Sequence, residues 1–199
     1  MIRILTFIAL FVLIGSCNMP ETKIYSLYVP IDAAVFDATA PNTGKVGEPK
    51  RKTALPLAII MDSPRYLTQP YIAYRSSPYE LTIARYVKWD SAPVKIIGGE
   101  LKNALGKKTP FSDVRVMSIT PPNSHILRVN LRKFERYDDT VASYAELSLD
   151  VDLISPQGEN IYRMTFNKRV KLTDSSFKSL AEGISLAVHE AIEQLCKDL

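Results

Sequence analysis

The chain has 199 residues and a mass of 22.3 kDa, enough for one domain with a buried core. Hydrophobic residues make up 46% and charged residues 23%, so the chain is globular rather than disordered or fibrous. A net charge of +4 is too mild to argue for nucleic acid, and two cysteines with two histidines exclude a disulfide scaffold and the common Cys/His zinc sites.

Arg3 is the only charge ahead of an apolar run from Ile4 to Ile14, interrupted once by Thr6 and followed by Gly15, Ser16 and Cys17. These are the parts of a secretory signal peptide over 1–16. The run is about half the ~20 residues that span a bilayer, so no lasting membrane helix is expected. Ile14-Gly15-Ser16-Cys17 resembles the lipobox of bacterial lipoproteins. That resemblance implies cleavage before Cys17, a diacylglyceryl group on its sulfur, and acylation of the new amine. This covalent lipid is the only non-protein group expected: no other cofactor and no metal. Residues 17–22 are then a lipidated tether, and several acyl chains together hold stably to a membrane. Asn18, where Asp would signal inner-membrane retention, favours the outer membrane facing the periplasm. With Cys17 consumed by lipid, no disulfide is expected to hold the fold.

A domain is expected over 23–199. Lys23 to Val29 alternates as a short strand. A long loop at 30–53 follows, with a basic cluster at 45–52 that reads as a solvated surface and, less simply, as a contact for anionic headgroups. Leu55 to Met61 suits a buried strand ended by Asp62-Ser63-Pro64. Tyr71 to Tyr74 and Glu80 to Tyr86 are the next strands. Asp90 is the expected cap of a helix whose apolar positions are Val94, Ile97, Leu101 and Leu105, with Gly98 and Gly99 requiring tertiary support.

Beyond Pro110 three segments alternate strictly: 127–132, 145–153 and 162–169. Their polar faces run basic, acidic, basic, so a meander sets the acidic strand between two basic ones. A final helix begins between Asp174 and Ser179, with Ser179 to Glu182 as a capping box. Its apolar stripe is Leu180, Ile184, Ala187, Ala191 and Leu195, with Cys196 at the edge. The fold class is α+β: two layers, a mostly antiparallel sheet, and two amphipathic helices on one face.

Catalytic patterns fail on inspection. Gly106-Lys107-Lys108-Thr109 breaks the phosphate-loop spacing. His189-Glu190 lacks the second histidine one turn on, where Glu193 stands. Ser175-Ser176-Phe177-Lys178 lacks the companion motifs of Ser-x-x-Lys enzymes. No enzyme is expected. What remains is an aromatic and basic segment holding the partner-binding candidates Arg65, Tyr66, Tyr71, Tyr74, Arg75 and Trp89, weighed evenly against packing at the core edge.

The same residues carry a second resemblance. Ser63-Pro64-Arg65-Tyr66-Leu67-Thr68-Gln69-Pro70-Tyr71-Ile72-Ala73-Tyr74-Arg75 resembles the signature of the ABC-type transport auxiliary lipoproteins, the PqiC-like family. Arg85 to Val94, Tyr25-Ser26-Leu27 and Phe134-Glu135 are similar to further blocks of that family. The resemblance implies a periplasm-facing lipoprotein that serves an MCE-type ABC transporter moving lipids between inner and outer membranes. Its partners would be an MCE-domain protein and the permease and ATPase complex, with membrane contact through the lipid and no nucleic acid. Two other readings stay open: a lipid-binding carrier with cargo between sheet and helices, and an envelope hydrolase.

Overall fold

The computed structural model describes residues 20–30 and 55–199. The signal peptide, Cys17 and the basic cluster at 45–52 lie outside the described residues.

Eight strands form one sheet: β1 (Lys23–Tyr25), β2 (Leu57–Asp62), β3 (Tyr71–Ser77), β4 (Glu80–Trp89), β5 (Val114–Met117), β6 (His125–Asp138), β7 (Ser143–Ile154) and β8 (Asn160–Lys171). Helix α1 spans Pro93–Lys108 and α2 spans Phe177–Asp198. Both pack on one face of the sheet, giving the two-layer α+β arrangement.

β6 is the spine, and its 14 residues serve three neighbours. β7 runs antiparallel along its whole length, and β8 continues the meander. The opposite edge is shared. β2 pairs with the first half of β6, Leu57 beside His125 through Asp62 beside Asn130; β3 pairs with the second half, Tyr74 beside Arg136 and Arg75 beside Tyr137. Both pairings are parallel, and the sheet forks there. One prong adds β5 to β2; the other adds β4 and then β1 to β3. The long meander keeps antiparallel pairing the larger part.

Between the prongs the chain leaves the ladder as a 3₁₀ turn, Arg65–Thr68. Pro64 and Pro70 flank it, and neither has an N–H to give a ladder. Leu67 N–H closes the turn on the Pro64 carbonyl at 3.0 Å, and the Leu67 side chain is fully buried.

The meander follows the expected alternation up to one bulge. Register slips between Leu131 and Lys133, so Arg132 is an extra residue on β6. Before it Leu127, Val129 and Leu131 face the helices; after it Phe134 and Arg136 do. Glu135 is thereby turned to the outer face.

Two helix caps differ from expectation, while the last helix starts within the expected range. Ala92, not Asp90, caps α1, because Pro93 at the first position has its φ preset and lacks an N–H to satisfy. Asp90 N–H instead bonds the Tyr25 carbonyl at 2.9 Å. Ser176, not Ser179, caps α2: its hydroxyl accepts from the Ser179 N–H at 3.1 Å. The α2 stripe is buried as read, Cys196 included. Only Lys23–Tyr25 of the first expected strand pairs; beyond it the Tyr28 N–H donates to Ser185 Oγ on α2 at 3.1 Å.

Candidate interaction site

The bulge sets Glu135 directly opposite Glu146 across the β6–β7 ladder, with the two residues 0% and 4% exposed. Like charges in register repel, and burial raises the cost. Each carboxylate therefore has its own partners. Glu135 Oε1 accepts from Arg75 Nε at 2.7 Å, and Oε2 accepts from the Tyr66 hydroxyl at 2.9 Å. Glu146 Oε2 accepts from Lys133 Nζ at 2.8 Å, and Oε1 accepts from Arg169. The Arg169 guanidinium lies over the Tyr137 and Tyr144 rings, 4.9 and 5.3 Å from their centres.

The electrostatics follow from this packing. Burial, with the Glu135 charge beside it, pushes the Tyr66 phenol above its ordinary value. Burial works against the Arg75 charge, but the hydrogen bond and field of Glu135 hold the guanidinium above its usual value. Burial likewise disfavours ionised Glu146, yet Lys133 and Arg169 hold its carboxyl below the usual glutamate range.

Tyr66 and Arg75 thus bring the 3₁₀ turn and β3 onto the same carboxylate of β6. On the helix side of the fork, the Arg136 guanidinium sits 5.1 Å from the Tyr74 ring centre and 5.0 Å from that of Phe177. It also pairs with Asp138 at 2.9 Å and donates to the Ser175 carbonyl at 2.5 Å. Trp89, 2% exposed, meets Phe134 edge-on at 5.2 Å.

The six partner-binding candidates therefore divide. Trp89 is interior, Tyr66, Tyr74 and Arg75 are part-buried in the contacts above, and Arg65 and Tyr71 are exposed. Sequence reasoning missed the centre of the cluster. Glu135 was legible only as a strand end, although its place just past the end of strict alternation was the available signal.

A second feature lies along α2. An open groove of about 410 Å³ runs between α2 and the segment after β1, lined by Tyr25, Tyr28, Pro30, Ala181, Leu186 and neighbouring polar groups. Ser185 and His189 also line it, but the Ser185 hydroxyl donates to the Ala181 carbonyl at 2.7 Å and accepts from Tyr28, so it is committed to structure. Elsewhere the chemistry-like motifs are absorbed by ordinary contacts. Glu190 pairs with Lys168 at 2.6 Å, and Glu193 pairs with Lys108. Asp139 Oδ1 accepts from the Val141 and Ala142 N–H groups, both at 2.7 Å, which holds its carboxyl below the usual range. Among the described residues no group of three or more His, Cys, Asp or Glu could hold a metal, and no helix is long and apolar enough to cross a membrane.

Residues 42–196 match the family model of the ABC-type transport auxiliary lipoprotein component. The chain belongs to this family. The match contains the whole cluster, from the Tyr66 and Arg75 signature positions to Glu135. This is a family of transport auxiliary lipoproteins, not a known enzyme class. No curated protein sequence matches the chain. Two solved structures share the fold of this auxiliary lipoprotein. One is a protein from Xanthomonas campestris, with 17% identity and a TM-score of 0.66, covering 87% of this chain and 92% of that one. The other is an uncharacterized protein, with 15% identity and a TM-score of 0.64, covering 90% and 99%.

Proposed function

We propose that the protein is the periplasm-facing adapter of an MCE-type ABC transporter that moves lipids between inner and outer membranes. Its Cys17 is acylated, and its anchor is the outer membrane. Family membership supports the auxiliary role. The observation that carries the reading is that the signature segment Ser63–Arg75 is folded as one clamped element, Tyr66 and Arg75 closing on Glu135. The clamp presents Arg65 from a rigid platform, as an adapter without chemistry of its own requires. The partners are the MCE-domain protein and the permease and ATPase complex.

A carrier is the second reading, and one observation favours it: the apolar groove along α2 is open and preformed. The place first expected for cargo is closed. The seam between sheet and helices, lined by Ile97, Leu101, Leu149, Val188 and Leu195, holds a void of only about 10 Å³.

Co-purification separates the two. A C-terminally tagged chain, gently solubilised, is expected to bring down an MCE-domain protein, a permease or its ATPase, and Cys17→Ala is expected to lose most of that recovery. Recovery of lipid with no transporter component would favour the carrier.

A further inference from the structure

The outer face of the prong formed by β1, β4 and β3 is apolar where a solvated sheet face would be polar. Register places Ile24 beside Lys88, and Lys88 beside Tyr71, so these three side chains share one face; past an irregularity in the β3–β4 ladder, Ile83 pairs with Ala73, which lies on the Tyr71 face of β3. Tyr25 points the other way, toward Phe177 at the start of α2, which identifies the Ile24 face as the one turned from the helices. Ile24 is 67% exposed, Tyr71 39% and Ile83 37%, and Arg85 on β4 is exposed as well. The polar face of the meander contrasts sharply: there Arg132, Asp150, Asp152 and Arg163 are paired with one another. Exposed apolar side chains with a phenol and cations among them match the chemistry of a membrane interface, where Tyr sits at headgroup level and Lys and Arg meet anionic lipid.

The tether says which surface covers this face. Only 18–22 separate Cys17 from Lys23, the first residue of β1, so even a fully extended tether places that strand within about 20 Å of the acylated cysteine. β1 is also the outermost strand of its prong. We infer that the prong lies against the bilayer, with Ile24, Tyr71 and Ile83 among the headgroups and Lys88 and Arg85 on anionic lipid. The inference rests on the acylation of Cys17 proposed above. It assigns Tyr71 to lipid and leaves the transporter to meet another side of the molecule.

The test uses the mature protein, expressed from the full chain, in vesicles of phosphatidylethanolamine and phosphatidylglycerol. An environment-sensitive fluorophore is placed at Ile24→Cys, at Tyr71→Cys and, as a reference, at Ile119→Cys just past β5, at the opposite end of the strand order from β1, where Ile119 is 77% exposed. Aqueous iodide is expected to quench the first two labels about fivefold less than the third. Arg85→Glu with Lys88→Glu is expected to restore quenching at Ile24 while the protein still floats with the vesicles. Flotation with all three labels equally quenched would overturn the docked prong and leave acylation standing. Failure to float would overturn both.

Discussion

Glu135 is the residue on which the fork depends. It is wholly buried, and its two oxygens are divided between Arg75 of β3 and Tyr66 of the 3₁₀ turn that follows β2. Glu135→Ala takes the carboxylate away from both the Arg75 guanidinium and the Tyr66 hydroxyl. Breaking a buried pair costs about 3–5 kcal/mol; because Arg75 reaches water, about 2–4 kcal/mol is expected, read as a lowered urea midpoint. Tyr66→Phe keeps the ring and loses one hydrogen bond to a charged group, an expected loss of about 1.5 kcal/mol in the same assay. The pH dependence has two signs. Glu146 is held low in the fold, so its contribution is present above the ordinary glutamate range and is lost as pH falls through the depressed value. Tyr66 is held high, so its contribution is present below the unfolded phenol value of about 10 and fades as pH rises beyond it. Thermal melts across pH are expected to fall at both ends, and Tyr66→Phe is expected to remove part of the alkaline fall alone.

The elements differ in how legible they were. The meander and both helical stripes were readable because one face of each is buried and the other wet, which writes a period into the residues. The forked edge of β6 was not, since two short parallel strands on one edge leave no local pattern. Nor was the clamp: its bonds join residues 60 and 69 positions apart. The bulge at Arg132 hid Glu135 by shifting the phase, so a position whose alternation pointed toward the helices was turned to the outer face instead. The helix glycines show the same split between local and tertiary information. A Cβ on Gly183 would lie 2.9 Å from Ala145 Cβ and 2.8 Å from Leu172 Cδ2, so α2 meets β7 at a distance only glycine allows. Gly183→Ala is expected to cost about 1–3 kcal/mol despite its better helix propensity. Nothing lies within 4 Å of the same position on Gly99, and Gly99→Ala is expected to gain up to about 1 kcal/mol. Denaturant titration of the two variants checks both signs.

At the scale of the whole molecule, the ion pairs of the meander set register more than they add stability. Arg163 with Asp152 at 2.6 Å and Arg132 with Asp150 at 3.0 Å are solvent-exposed on their basic sides, where water screens them. They account for the charges of that face without a ligand. What distinguishes this molecule is the combination of a clamped signature segment, exposed apolar side chains on the prong that ends in β1, and a groove along α2. None of these supplies a reacting set of groups, and all three suit a protein held at one membrane that engages others. The measurement that tests this most directly is affinity capture with mass spectrometry on three tagged chains: native, Cys17→Ala and Glu135→Gln. Transporter components are expected with the native chain, far fewer with Cys17→Ala, and reduced recovery with Glu135→Gln, whose platform is loosened. Capture of no MCE-domain protein, permease or ATPase by the native chain would contradict the adapter reading.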